Sequence, residues 1–191
     1  MSDSKIWGPY VWYMMHKIAF ELPQNYEKLS PNISKYLLNF YTNLQKLIPC
    51  PSCKNHYRVI LSRFPINKYN SSGILMAKWT IKIHNITNSS LNKKIYTYSS
   101  VKNLYLKKGT INIDHKKLGE FIRYIIEKTT NEPLQIRKIV ASNLIKLYPC
   151  NKCRNRLKVY ESKNNIDIIK TTIQMNNWAK KLRLISQDKC T

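Results

Sequence analysis

Cys50 and Cys53 are separated by two residues, a spacing that serves either a redox-active disulfide or half of a zinc site. Pro51 suits the first position of a helix, where the backbone N–H has no intrahelical partner in any residue. The apolar residues that follow have helical spacing, so the sequence predicts Cys50 at the N-cap and Cys53 in the first turn. The helix dipole and the unpaired amides there stabilise a thiolate, the reactive form of cysteine. For these four residues alone, a metal site and an inert pair remain the alternatives.

A second pair with the same spacing, Cys150 and Cys153, lies 100 residues further along the chain. The match extends to the flanking Pro, Lys or Arg, and Asn residues, and Trp79 and Trp178 follow their cysteine pairs at nearly the same distance. Self-similarity at a fixed offset predicts a duplicated unit. Five cysteines in 191 residues are too few for a disulfide scaffold, and the fifth, Cys190, stands alone.

Four amphipathic helices are predicted around the first pair. Apolar stripes with proline and serine boundaries place them at residues 6–22, 31–48, 51–64 and 74–91. Tyrosines scattered among Ser, Lys and Asn over residues 96–113 predict a linker, and helical stripes recur over residues 118–185. We therefore predict an all-α fold, in which a four-helix bundle is followed by a second helical bundle of similar layout.

The chain carries 33 Lys and Arg against 10 Asp and Glu, a formal net charge of +23. Such a charge favours nucleic-acid, anionic-membrane or acidic partners. The lysines are nevertheless spread in short clusters, and Lys, Asn, Ile and Tyr are abundant, as an AT-rich genome would encode. We attribute the charge to this composition and predict neither nucleic-acid nor membrane binding. Because the sequence shows no membrane-spanning run and no secretory signal, we expect an intracellular location.

Aromatic, imidazole and amide side chains surround the first cysteine pair and not the second. Trp12 and His16 lie one helical turn apart, and Tyr57 lies one turn after the second cysteine. His84 and Asn88 share a helical face in the same way. A planar, anionic redox cofactor needs rings for stacking, amides and imidazoles for its heteroatoms, and a cation for its pyrophosphate. Since no Gly-rich dinucleotide loop occurs, a flavin would have to bind within the helical bundle.

Residues 7–93 resemble the FAD-dependent sulfhydryl oxidases of the Erv/ALR family, and look most like members from large DNA viruses. The matching motifs are Trp7-Gly8-x3-Trp12-x3-His16, Cys50-Pro51-Ser52-Cys53-x2-His56-Tyr57 and Trp79-x4-His84-Asn85-x2-Asn88-x2-Leu91-x-Lys93. The resemblance implies a helical FAD-binding bundle that forms a homodimer. It also implies an enzyme, a thiol oxidase that forms disulfides in protein dithiols and passes the electrons through a CxxC disulfide and FAD to oxygen, giving hydrogen peroxide.

The same resemblance implies roles for individual residues. Cys50 exchanges with the incoming dithiol, whereas Cys53 lies nearer the flavin and forms the charge-transfer thiolate; the exchange proceeds through a mixed disulfide. The residues implied to bind FAD are Trp7, Trp12, His16, Tyr57, His84, Asn85, Asn88 and Lys93. The implied substrate is a protein dithiol, for example on a thioredoxin-like protein. No metal ion is expected.

The domain prediction follows from the same motifs. Residues 1–95 form the FAD-binding oxidase domain, residues 96–113 the linker, and residues 114–191 a degenerate, flavinless copy that lacks the W-x-x-x-H and H-N-x-x-N motifs. Cys150 and Cys153 then serve as a shuttle dithiol or a structural disulfide, with zinc ligation as a third option. The alternative for the whole chain is a basic, zinc-binding nucleic-acid-binding protein. The viral resemblance implies the host cytoplasm, a virus factory or the virion as the location.

Overall fold

A computed structural model describes residues 4–106 and 113–188 of the chain, and within these ranges the secondary structure is helical without strands. The α-helices are α1 (Ser4–Glu21), α2 (Pro31–Leu47), α3 (Pro51–Arg63), α4 (Gly73–Ser90), α5 (Tyr98–Tyr105), α6 (His115–Ile122), α7 (Leu134–Leu147), α8 (Asn151–Lys163) and α9 (Thr172–Gln187). A π-helical turn, Arg123–Glu127, continues α6, and 3₁₀ turns occupy Ile66–Lys68 and Ile166–Ile168. None of the described helices is long and apolar enough to cross a membrane. The all-α prediction is confirmed.

Serine and proline residues set the starts of the helices in the first half. The Ser30 hydroxyl accepts a hydrogen bond from the Ile33 N–H at 3.3 Å, and Pro31 is the first residue of α2. The Ser72 hydroxyl caps α4 in the same way, accepting from the Leu75 N–H at 3.4 Å. The four helices predicted from the sequence agree with α1 to α4 within two residues at each end.

Both cysteine pairs begin a helix with the same geometry. Cys50 is the N-cap of α3, with φ −125° and ψ 117°, and its Sγ accepts a hydrogen bond from the Cys53 N–H at 3.2 Å. Cys150 is the N-cap of α8, with φ −124° and ψ 117°, and accepts from the Cys153 N–H at 3.3 Å. The predicted N-cap position of the first cysteine is confirmed, and the second pair has the same local backbone geometry.

Equivalent helices of the two halves pack against each other. Helix α2 lies against α7, and α1 lies against α6, while α4 and α9 each complete their own half. The rings of Phe40 and Phe121 meet across this junction with centroids 6.1 Å apart, and both side chains are fully buried. Buried apolar residues of both halves belong to one continuous core. The domain boundaries at residues 95 and 113 stay a prediction.

The segment predicted as a linker contains helix α5. Thr97 caps it, accepting from the Ser100 N–H at 3.2 Å, and the helix packs on α1 and α4. Tyr105 stacks on Phe20 of α1 with ring centroids 5.6 Å apart, and Val101 is buried. Tyr98, Val101 and Tyr105 have helical spacing, but the helix has only eight residues, too few for that period to stand out in the sequence. Residues 107–112, the end of the predicted linker, lie outside the described ranges.

Candidate active site

Cys50 and Cys53 form a disulfide at the N-terminus of α3, with their Cα atoms 5.2 Å apart. Both residues are half-buried, so the pair lies at the edge of the bundle. The Cys50 Sγ also lies 3.2 Å from the Ser52 hydroxyl. A partly accessible disulfide at a helix N-terminus can accept electrons from an external dithiol, because the helix stabilises the thiolate that leaves.

An indole and two imidazoles meet between α1 and α4. Trp12 stacks on His84 with ring centroids 4.0 Å apart and ring planes 4° apart. His16 Nε2 and His84 Nδ1 share a hydrogen bond of 2.9 Å. The structure therefore brings together three of the side chains that the sequence predicted for the site, from positions nearly 70 residues apart.

Both imidazoles are neutral near pH 7. Burial, and then the charge of His84, lower the pKa of His16 from 6.5 to about 3. Burial, and then the charge of Lys93, lower the pKa of His84 to about 4. A neutral imidazole donates with one nitrogen and accepts with the other. His16 Nδ1 and the Trp7 indole Nε1 are buried and have no hydrogen-bond partner among the described residues, which leaves polar atoms for a ligand.

Tyr57 is fixed between the disulfide helix and α2. Its side chain is buried, and its hydroxyl donates to the Tyr41 carbonyl at 3.2 Å. Burial raises the pKa of Tyr57 far above its usual value, so the phenol is neutral. Trp79, which belongs to the same sequence motif as His84, is a core residue: its indole donates to the Phe64 carbonyl at 2.9 Å, and its ring meets Tyr41 edge-on.

Asn85 and Asn88 hold the chain that follows α4. The Asn85 amide donates to the Tyr96 carbonyl at 2.8 Å and accepts from the Tyr96 N–H at 3.0 Å. The Asn88 amide donates to the Lys94 carbonyl at 3.0 Å, and the Asn88 carbonyl accepts from the Lys93 N–H at 2.8 Å. The two asparagines thus position the exposed Lys93. Their predicted contact with a cofactor stays a prediction.

Three residues at the site were not singled out as site residues from the sequence. His56 Nε2 lies 3.5 Å from the Thr87 hydroxyl. This contact joins α3 to α4 one helical turn after the disulfide. The Tyr105 ring of α5 lies 5.4 Å from the His16 ring. The position of His56, three residues after the second cysteine, was a usable signal. No signal in the sequence pointed to Tyr105, because only the fold brings α5 onto α1.

The second half has different side chains at the equivalent positions. Counted from Trp178, Arg183 and Gln187 occupy the places of His84 and Asn88. Arg183 Nε pairs with the Glu127 carboxylate at 2.9 Å. Gln187 packs directly on Gly119: a Cβ atom added to Gly119 would lie 2.3 Å from the Cγ atom of Gln187. An ion pair and direct helix packing therefore stand where the first half has an indole and two imidazoles.

The second cysteine pair lies in a more buried setting. Cys153 is fully buried, and its Sγ lies 3.9 Å from His115 Nδ1; Cys150 is partly buried. The shuttle and structural-disulfide roles both stay predictions, and Cys190 lies outside the described ranges. In the part of the chain that the structure describes, no three His, Cys, Asp or Glu side chains are grouped to hold a metal ion, so the zinc alternative gains no support.

The fold and site define a class of protein: a helical bundle with a redox disulfide at one helix N-terminus and a cluster of rings and neutral imidazoles between two others. The model of the Erv1/Alr family matches residues 9–106. An FAD-linked sulfhydryl oxidase of African swine fever virus is 33% identical over 113 residues, which cover 58% of this chain and 89% of the relative. The chain belongs to the Erv1/Alr family, which confirms the resemblance found in the sequence.

Other relatives match over similar or shorter lengths. A probable FAD-linked sulfhydryl oxidase of Acanthamoeba polyphaga mimivirus is 32% identical over 93 residues, covering 48% of this chain and 63% of the relative. An FAD-linked sulfhydryl oxidase of Saccharomyces cerevisiae is 27% identical over 104 residues, covering 53% of this chain and 50% of the relative. No solved structure gives a significant match.

Proposed function

We propose that this chain is an FAD-linked thiol oxidase that forms disulfides in protein dithiols and passes the electrons to oxygen, giving hydrogen peroxide. The observation that carries the proposal is the Cys50–Cys53 disulfide, which begins α3 in the same bundle as the cluster of Trp12, His16 and His84. Family membership supports it, as does the sulfhydryl oxidase activity for which the relatives are named.

The residues around this cluster fit a flavin. The stacked indole and imidazole present flat faces, and the unpartnered His16 Nδ1 and Trp7 Nε1 can hydrogen-bond ring heteroatoms or hydroxyls. Lys93 offers a cation for a phosphate group. The residues that would hold FAD are Trp7, Trp12, His16, Tyr57, His84, Asn85, Asn88 and Lys93. When bound, FAD supplies a two-electron acceptor.

The chain's own residues account for the thiol chemistry. A substrate thiolate attacks the Cys50 Sγ, so that a mixed disulfide forms, the Cys50–Cys53 bond breaks and Cys53 leaves as a thiolate. The N-terminal end of α3 stabilises this charge. The second substrate thiolate then attacks the substrate sulfur of the mixed disulfide and displaces the Cys50 thiolate. The substrate gains one disulfide, and the two electrons that it loses reduce the enzyme pair to two thiols.

The partners are a protein dithiol and oxygen, with a thioredoxin-like protein as one candidate substrate. A homodimer belongs to the same family-based proposal. Because α6 and α7 of the same chain cover faces of α1 and α2, such a dimer would form through another surface. The proposed location inside an infected cell or in a virion also stems from the viral relatives.

The visible absorption spectrum of the purified full-length protein tests the proposal. We expect an oxidised-flavin band that dithiothreitol bleaches without oxygen and that oxygen restores. A colourless protein that oxidises no thiols would overturn the proposal. The Cys53→Ser variant should keep its flavin and lose catalytic turnover, since its disulfide cannot form; sustained thiol oxidation by this variant would refute the role of Cys53.

A further inference from the structure

An ion pair joins the disulfide helix to the other half of the molecule. Lys54, the residue after Cys53, lies with its Nζ 2.5 Å from a carboxylate oxygen of Glu132. The side chains are 30% and 26% exposed. Glu132 lies in the turn before α7, where its N–H donates to the Thr129 carbonyl at 3.2 Å. Thr129 is itself buried and donates to the Ile125 carbonyl at 2.8 Å, so the carboxylate stands on a fixed turn.

The disulfide helix carries no acidic residue of its own. Helices α2, α3 and α4 contain no Asp or Glu. Lys46 lies near the end of α2 and Arg58 lies on α3. Burial raises the pKa of Tyr57, so this phenol adds no negative charge. Glu132 is therefore an acid that the second half supplies to a helix without acids.

We propose that Glu132 sets the reactivity of the Cys50–Cys53 pair by partnering Lys54 beside it. An unpaired Lys54 would add its full positive charge to the helix dipole and stabilise a thiolate, which makes a disulfide more oxidising. The Glu132 carboxylate offsets that charge, so the pair remains reducing enough to release its electrons. The second half thus supplies a positioning residue for the dithiol, a role that rests on the proposed redox function of this pair.

Alkylation of the reduced, full-length protein under anaerobic conditions measures the effect. The rate of Cys50 modification by iodoacetamide, followed by mass spectrometry against pH, gives the pKa of its thiol. Because Lys54 and Glu132 are both partly exposed to solvent, the effect should be modest: Glu132→Gln should raise the thiolate fraction near pH 7 about twofold, and Lys54→Met should lower it about twofold. The Glu161→Gln variant is the control, because it breaks a pair with Lys146 of the same 2.5 Å length within the second half.

A charge-swapped variant, Lys54→Glu with Glu132→Lys, tests whether the offset of the two charges carries the effect. It keeps a neutral ion pair, so we expect its thiolate fraction to lie between those of Lys54→Met and Glu132→Gln, close to that of the unmodified protein. Equal titrations in all variants, or shifts of the same sign in Glu132→Gln and Lys54→Met as the loss of a simple tether would give, would overturn the proposal. Since alkylation needs neither FAD nor oxygen, this result is independent of the flavin spectrum, and a failed oxidase proposal would show there instead.

Discussion

At the scale of single residues, the site depends on two histidines that the fold keeps uncharged. His16 is almost fully buried, and its Nε2 shares a hydrogen bond with His84 Nδ1. The His84 ring also stacks on the face of Trp12. Two protonated rings at this distance would repel each other in a poorly solvated place, so the neutral forms prevail. A neutral pair can offer a donor and an acceptor to a ligand, which suits the mixed polarity of a flavin.

His84→Ala should lower the flavin content of the purified protein several-fold, because it removes both the stack on Trp12 and the hydrogen bond to His16. The ratio of flavin to protein absorbance measures this loss. Arg183→Ala is the matched control: it changes the equivalent residue of the second half and breaks an ion pair with Glu127. Unchanged flavin content in His84→Ala would count against the assigned site.

Acid should destabilise the fold through these two histidines. Their pKa values are about 3 and about 4 in the folded protein and 6.5 in the reference state, so the unfolded chain binds more protons between these limits. The contribution of these histidines to the free energy of unfolding is therefore complete above pH 6.5. It falls as the pH drops towards 4, by at most about 1.4 kcal/mol per pH unit for each histidine.

Urea unfolding at several pH values measures this dependence, and His84→Gln should weaken it. Burial raises the pKa of Glu21, which acts in the opposite sense, but this contribution is present in both proteins and cancels in the difference. Parallel pH profiles for the variant and the unmodified protein would show that His84 is not held neutral.

At the scale of the elements, the sequence predicted what local chemistry decides. Proline and hydroxyl caps mark α2 and α4, so their bounds could be read directly. Helix α5 was missed because its eight residues are too few for their apolar period to stand out in the sequence. The side chains of Trp12, His16 and His84 were expected together, since helical spacing fixes their faces. The contact of Lys54 with Glu132 could not be foreseen, since it depends on how the two halves pack.

Asn85→Ala should loosen the segment between α4 and α5. The variant loses both hydrogen bonds between the Asn85 amide and the Tyr96 backbone, each worth about 1 kcal/mol, so amide exchange over this segment should rise by up to about thirtyfold. Hydrogen exchange followed by mass spectrometry detects the change. Asn177→Ala, at an exposed position of α9, is the control. Equal exchange in Asn85→Ala would mean that α5 is held by its apolar contacts alone.

At the scale of the whole molecule, the two halves that each begin a helix with a CxxC pair share one core. The offset of 100 residues revealed the duplication, but the apolar stripe of α2 was equally consistent with packing inside its own bundle. In the structure this stripe faces α7, and Phe40 meets Phe121. Because one core runs through both halves, we expect the second half to stabilise the site of the first half.

Phe121→Ala tests this coupling, because it leaves the flavin site and the first half unchanged. Removing a fully buried ring costs about 3–5 kcal/mol of stability. If the halves unfold together, urea should release flavin and melt the helical circular dichroism at the same lowered midpoint. Val159→Ala, at a 54% exposed position of α8, should change neither midpoint. If flavin release kept its original midpoint while helix loss split into two transitions, the halves would be independent domains. A common shift would mean that the first half depends for its stability on the core that the second half contributes.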